Sequence, residues 1–320
     1  VTAIGAVAPD GSPDGSLRVA AVQGGGPRGI RAVSRDPLPV LRRHLEATLR
    51  VEPPVDLVLW PEDVVDVDEP LAGSPVDRQL GDVARSLQTT LVAGVVEDEG
   101  TTRFRNAAVV YGPDGGRIDR YDKVHRVPFG EYVPARGFFD ALADLSAIPR
   151  DAVPGHGPGV VDTPAGRMGV LISYEVFFAE RARDAVRAGG RLLLVPTNAS
   201  SYRDAQVPAQ EVAVARLRAL ATGRWVVQAA PTGYSAVIDH RGRVRAQGGL
   251  GRPEVLAADV ALRSGRTLAT ELGRAPWTVV ALLALLVLNK PESLSSKFVA
   301  GRRPGGYAER RSITKRRRNS

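Results

Sequence analysis

Between about Leu17 and Leu262, short apolar runs alternate with longer stretches of helical periodicity. Leu17–Val22, Leu57–Trp60 and Leu91–Val96 are β-rich and short, which predicts strands. Asn106–Tyr111 and Arg117–Tyr121 flank Gly112-Pro113-Asp114-Gly115-Gly116, a hairpin signal, and Val160–Thr163 and Met168–Ile172 flank Pro164-Ala165-Gly166 in the same way. Arg191–Val195, Trp225–Ala230, Ser235–Asp239 and Glu254–Val260 read as further strands, with a turn at His240-Arg241-Gly242. Pro39–Val51 reads as a helix with Leu41, Leu45 and Leu49 on one face. Ala179–Ala188 is helical up to Gly189-Gly190, and Ala209–Thr222 is a run of strong helix formers closed by Gly223. Strands and helices in this order predict a layered α/β domain. The hairpins argue against a purely parallel sheet and for two mixed sheets face to face, covered by helices.

Beyond this region the pattern changes. Residues 1–16 contain Gly, Pro and Asp and read as a linker without a secretory signal, and residues 263–274 read as a connector. Residues 275–288 are uncharged and almost wholly apolar. A full span needs roughly 20 such residues, so the length fits a short span or a buried helix. Trp277 and the one-sided positive charge favour a membrane helix. Residues 289–320 hold ten Lys or Arg and two Asp or Glu, so the net charge of +8 sits entirely in this tail. Such a tail suits an anionic membrane surface or nucleic acid, and beside an apolar helix the membrane is the expected partner. Nucleic acid is not.

The composition, 43% hydrophobic and 24% charged, is that of a globular protein. The absence of Cys excludes disulfides and thiolate metal sites, and four His without His-x-x-x-His spacing give no zinc motif. A zinc site is not expected.

Three strand-like runs end in polar clusters. Glu62 follows Trp60-Pro61, at a strand's C-terminal edge where α/β sites form. There a desolvated carboxylate can take a proton from a nucleophile. Taken alone, an acid in a surface turn is the stronger reading, because Pro-Glu is common. Lys123 lies in Tyr121-Asp122-Lys123, and a fixed ammonium can stabilise an oxyanion. Ser173 follows Gly169-Val170-Leu171-Ile172 and precedes Tyr174-Glu175, where a strand-to-helix turn would expose a nucleophile.

Together these elements resemble the Glu–Lys–Cys sites of the nitrilase, or carbon–nitrogen hydrolase, superfamily. Within it the chain is most similar to the apolipoprotein N-acyltransferase family, over about residues 17–262. The likeness rests on Pro128-Phe129-Gly130-Glu131-Tyr132-Val133-Pro134, on Ser173-Tyr174-Glu175, and on the block Arg216–Asp239 with Arg218-Ala219-Leu220, Thr222-Gly223-Arg224 and Thr232-Gly233-Tyr234-Ser235. The apolar helix and basic tail match the family's closing span. The resemblance implies a four-layer αββα sandwich with a C-terminal hydrophobic helix. It implies acyl transfer from a phospholipid, through an acyl-enzyme, to the N-terminal diacylglyceryl-cysteine of apolipoproteins, without a cofactor. Glu62 would be the base, Lys123 the oxyanion stabiliser and position 173 the nucleophile, with Glu131, Tyr174 and Glu175 supporting or substrate-binding. It places the protein at the plasma membrane, the catalytic domain extracytoplasmic and the tail cytoplasmic. The family's membrane bundle would lie outside these 320 residues.

The chain departs from the family at two places. Position 173 is serine where the family has cysteine, and the family's Asn-Asp-x-Trp-Phe loop is here Asn198-Ala199-Ser200-Ser201-Tyr202. A serine hydroxyl is far less acidic than a thiol and ordinarily needs a base relay such as His. His125 is the nearest His to Lys123 in sequence. Two other readings therefore stand beside the acyltransferase: a catalytically impaired member that binds lipid or lipoprotein, and an amidase-type hydrolase.

Overall fold

The computed structural model describes residues 9–26, 38–139, 145, 148–200, 206–273 and 275–288. The chain divides into two units, the first ending at Gly273 and the second beginning at Arg274.

The first unit holds two mixed sheets. One contains β1 (Ser12–Gln23), β2 (Leu57–Leu59), β3 (Val65–Val67), β4 (Thr90–Glu99), β5 (Arg103–Tyr111), β6 (Arg117–Asp122), β7 (Asp151–Ala152) and the last strand, Glu254–Ser264. The other contains β8 (Val160–Thr163), β9 (Gly166–Val170), β10 (Leu193–Pro196), β11 (Val226–Ala229), β12 (Ala236–Ile238) and β13 (Val244–Gln247), which makes the last strand β14. The first sheet runs in the order β14-β1-β2-β4-β5-β6 and the second in the order β13-β12-β11-β10-β9-β8. β1, β2 and β4 are mutually parallel, as are β9, β10 and β11, while β4-β5-β6 and β8-β9 are antiparallel hairpins.

Alternation along the strands explains the layering. Val19, Ala21, Leu57, Leu59 and Val92 point into a core shared with Met168, Val170, Leu194 and Val227 of the second sheet. Their neighbours Ala20, Val22, Val58, Leu91 and Ala93 point the other way, onto α1 (Leu38–Thr48) and α2 (Pro75–Leu87). On the far face of the second sheet, Leu171, Leu193, Val195 and Val226 pack on α4 (Ala179–Arg187) and α5 (Val207–Thr222); the short α3 spans Arg136–Phe139. Period-two alternation with both faces buried is what a four-layer αββα sandwich requires. Each fully buried Val or Leu contributes about 1.5–3 kcal/mol.

Several details differ from the pattern-based reading. Helix α2 was not anticipated, although Ser74-Pro75 carries its signal: Ser74 Oγ caps Asp77 N at 3.0 Å and Pro75 occupies the first turn. The buried face of α1 is Val40, Leu41, His44, Ala47 and Thr48, and Leu49 is exposed because the helix ends at Thr48. The burial of His44 is satisfied by its ring: Nδ1 lies 2.8 Å from Val40 O, and Nε2 accepts from Gly24 N at 3.1 Å.

After α6 (Leu268–Leu272), the second unit contributes α7 (Ala275–Leu288), the apolar segment expected as a membrane helix. Its aliphatic side chains from Val279 to Leu288 are exposed. At 1.5 Å per residue it is about 21 Å long, against a hydrocarbon core of about 30 Å. Among the described residues no helix is long and apolar enough to cross a membrane. The basic tail lies outside the described residues.

Candidate active site

Glu62, Lys123, Ser173 and Thr197 each follow a strand directly or within three residues: β2, β6, β9 and β10 respectively. β2 and β6 run in the same direction through the antiparallel β4-β5-β6 meander, and β9 and β10 are parallel. All four residues therefore emerge at C-terminal strand edges, two from each sheet. Glu62, Lys123 and Ser173 meet in one cavity of about 480 Å³, which Glu131, Tyr174 and Glu211 also line.

Glu62 is brought there by a close backbone approach. A Cβ on Gly94 of β4 would overlap the Pro61 carbonyl oxygen and stand 2.6 Å from Glu62 Cα, so only glycine fits. Lys123 follows β6, where its N–H bonds Asn106 O at 2.8 Å. Its Nζ donates to Glu62 Oε1 at 2.8 Å and to Glu131 Oε1 at 2.7 Å. Asn106 Nδ2 bridges the same two oxygens at 2.8 and 3.1 Å, and Val127 N donates to Glu131 Oε2 at 2.7 Å. An ammonium has three N–H bonds. Two hold the carboxylates, leaving one for a substrate oxygen in the cavity.

The electrostatics follow from burial. Glu62 and Lys123 are 5% and 2% exposed. Burial pushes the Glu62 carboxyl up, against the pull of Lys123. Burial also disfavours the ammonium, but the facing Glu62 and Glu131 outweigh it and hold Lys123 above its ordinary value. Lys123 stays charged throughout the physiological range, as oxyanion stabilisation requires.

Ser173 opens a tight helical turn, Ser173–Phe177, with φ of +48°. A non-glycine residue in this left-handed region carries about 1–3 kcal/mol of strain and persists only where its surroundings enforce it. Glu175 supplies that enforcement. Fully buried behind the turn, it accepts from Ile172 N at 2.9 Å, Val124 N at 2.9 Å, His125 N at 3.1 Å and Tyr121 OH at 2.8 Å. It ties the strand preceding Ser173 to the loop following Lys123. Arg218 Nε holds the same turn through Val176 O at 2.9 Å. Tyr174 forms part of the cavity wall and stands edge-on to Phe178 at 5.0 Å. With Phe104, Val127, Ile148 and Phe177 it gives the cavity an apolar side suited to an aliphatic chain.

Of the residues expected from the sequence, Glu62, Lys123, Glu131, Ser173 and Tyr174 converge on the cavity, and Glu175 lies behind it. His125 stacks on Phe178 at 4.2 Å. The hydroxyl of Ser173 is bonded instead to Thr197 Oγ1 at 3.3 Å, which in turn donates to Glu211 Oε1 at 2.7 Å. Sequence reasoning missed both Thr197 and Glu211. Glu211 is the one acid of α5, whose other charged residues are Arg216 and Arg218, and the available signal was its position on the buried face with Pro208, Val212 and Ala215. Asn198 Nδ2 bonds Asp63 Oδ2 at 2.9 Å across the two sheets. The rest of that altered loop, Ser201 and Tyr202, lies outside the described residues. Among the described residues, no group of three or more His, Cys, Asp or Glu is placed to hold a metal ion.

Known proteins resemble this chain in sequence and in fold. The chain is 34% identical over 288 residues to the apolipoprotein N-acyltransferase of Mycolicibacterium smegmatis, covering 86% of this chain and 48% of the relative. It is 35% identical over 240 residues to that of Geobacter metallireducens, covering 73% and 45%. The chain thus spans about half the length of the curated relatives it matches. Among solved structures, Saccharomyces cerevisiae Nit3, a member of branch 10 of the nitrilase superfamily, superposes with a TM-score of 0.59 at 23% identity over 88% of this chain and 97% of that one. An amidase from Nesterenkonia sp. gives 0.55 at 23% identity over 86% and 98%. At these identities the two structures show the fold alone. Residues 18–270 match the Carbon-nitrogen hydrolase family, and with its αββα sandwich the chain belongs to that family.

Proposed function

We propose that the chain carries the acyl-transfer site of an apolipoprotein N-acyltransferase. A phospholipid would be the acyl donor, and the N-terminal diacylglyceryl-cysteine of an apolipoprotein the acceptor. The observation that carries this reading is the buried Glu62–Lys123–Glu131 cluster sharing one apolar-walled cavity with Ser173. The names of the relatives support an apolipoprotein acceptor. Ser173 attacks the ester carbonyl, Lys123 faces the oxyanion, and Glu62 serves as a base for the incoming amine. Glu131 holds Lys123, Tyr174 walls the acyl chain, and Glu175 fixes the turn. The helix α7 and the basic tail would attach the protein to the plasma membrane, with the domain extracytoplasmic and the tail cytoplasmic. Recovery of the full chain in the soluble fraction at low salt, without detergent, would reject attachment.

The test of the chemistry is a trapped intermediate. With a phospholipid donor, Ser173 should carry an acyl oxyester, stable to neutral hydroxylamine and cleaved by base, and a diacylglyceryl-cysteine peptide should discharge it. The serine at position 173 favours a second reading, an impaired member that binds lipid without transfer. That member would give no adduct, and Ser173→Cys would create a thioester in its place.

A further inference from the structure

The hydrogen bonds around Ser173 lead away from Glu62. The Ser173 hydroxyl meets Thr197 Oγ1 at 3.3 Å, and Thr197 meets Glu211 Oε1 at 2.7 Å. Thr197 Oγ1 is placed to donate to both oxygens, but it has one proton. The shorter, charge-assisted bond to Glu211 takes that proton, and rotation of the Ser173 hydroxyl then turns the longer contact round so that Thr197 Oγ1 accepts from Ser173. All three groups are fixed. Thr197 follows β10, where its N–H bonds Ala229 O at 2.9 Å, and Glu211 sits on the buried face of α5. Both are enclosed, at 0% and 4% exposure. A buried acid with a neutral hydroxyl as its only hydrogen-bond partner among the described residues is an expensive feature to keep for packing alone. We propose that Thr197 and Glu211 form a proton relay for Ser173, with Glu211 the positioning residue that takes the serine proton through Thr197. This rests on the acyl-transfer reading only for the identity of the acyl donor; it applies to any ester that Ser173 attacks.

The relay closes over both half-reactions. It begins with Glu62 and Glu211 both ionised. As Ser173 Oγ bonds the ester carbon, its proton passes to Thr197 Oγ1 and the Thr197 proton to Glu211 Oε1, while the carbonyl π pair becomes the oxyanion beside Lys123. The carbonyl re-forms, the bond to the donor alcohol breaks, and the leaving oxygen takes a proton from solvent. In the second half an amine attacks the acyl carbon and gives a proton to Glu62, which returns it to solvent. Ser173 Oγ leaves and takes the Thr197 proton, and Glu211 refills Thr197. Two carboxyls with distinct environments thereby divide the work of one. Burial pushes Glu211 up to about 7, with Glu62 adding and the Thr197 bond and Lys123 opposing, so its proton is exchangeable near neutrality. Glu62 and Lys123 are the charged groups acting on it.

The test uses the full chain and p-nitrophenyl butyrate, an ester that needs no lipoprotein acceptor. Burst release of p-nitrophenol and intact mass report acylation of Ser173. The parent should acylate with a rate that rises through pH of about 7. Glu211→Gln and Thr197→Val should each slow it about 10²-fold and remove that limb, while Thr197→Ser keeps both. A thiol gives up its proton far more readily, so in a Ser173→Cys background Glu211→Gln should slow acylation by under about fivefold. Three results would each overturn the relay: no adduct on Ser173 in the parent; Glu211→Gln acylating within about threefold of the parent with the same pH profile; or equal losses in the serine and cysteine backgrounds, the mark of a structural role. Glu211-dependent acylation without onward transfer to a diacylglyceryl-cysteine peptide would support the relay and refute the acyltransferase reading.

Discussion

Glu211→Gln should stabilise the folded protein at neutral and alkaline pH, the reverse of what removing a hydrogen-bonded buried side chain ordinarily does. Burial raises the folded-state value of Glu211 from the ordinary 4.5 to about 7. The folded state therefore binds this proton more tightly than the unfolded chain. The stability so gained is complete below pH of about 4.5 and is lost as pH rises through about 7. At 1.36 kcal/mol per pH unit, that interval corresponds to about 3 kcal/mol. Glu211 is 4% exposed, so solvent screening does not reduce this figure much. Glutamine keeps an oxygen for the Thr197 hydroxyl and never ionises. Groups common to both proteins cancel in the difference. Urea unfolding at a series of pH values between 5 and 8.5 should show the variant gaining on the parent by about 3 kcal/mol across the range. In a thermal melt this is roughly 6–12 °C for a domain of this size. A difference between the two proteins that stays constant with pH would refute the reasoning, because it would place no titrating proton at Glu211.

Glu62→Gln and Lys123→Ala should each abolish acyl transfer; a lost oxyanion donor alone costs about 10²–10³ in rate, and turnover within a few-fold of the parent would remove that residue from the mechanism. Lys123→Ala should also lower stability by about 3–5 kcal/mol, since it leaves two buried carboxylates without their cation, and a melt unchanged from the parent would contradict the buried pairing. Ser173→Gly should raise stability by about 1 kcal/mol by relieving the left-handed backbone while eliminating the acyl adduct; lower stability than Ser173→Ala would argue against strain at this turn. Gly94→Ala should destabilise by about 1–3 kcal/mol and slow turnover by displacing Glu62, and full activity in this variant would show that the Pro61–Glu62 segment can yield.

The strands were legible because their alternation is strong. Val19 and Ala21 against Ala20 and Val22 already define two faces, and Pro-Glu, Asp-Lys and Ser-Tyr-Glu mark three strand ends in order. Helix α2 was missed because its capping serine and proline lie in a stretch rich in Gly, Pro and acidic residues that reads as loop. Leu49 was misplaced because periodicity does not state where a helix stops. Glu175 stood in the motif beside Ser173, yet its work is to gather backbone N–H groups, which side-chain identity does not reveal. Thr197 and Glu211 were missed for a further reason. Their meaning comes from two elements, β10 and α5, touching the Ser173 turn, and no local pattern contains that meeting.

The strand edges that carry the site belong to different sheets. Glu62 and Lys123 ride on one, Ser173 and Thr197 on the other, and between the sheets lies an apolar layer built from residues such as Leu59, Met168 and Ile172. That layer acts as a spacer whose thickness sets the gap between nucleophile and ammonium. Changing the volume of a side chain there alters the alignment of two half-sites without touching either. The rate of the proposed acylation should therefore gauge interior packing, and conditions that compress or swell the interlayer core should register in acylation before they register in unfolding.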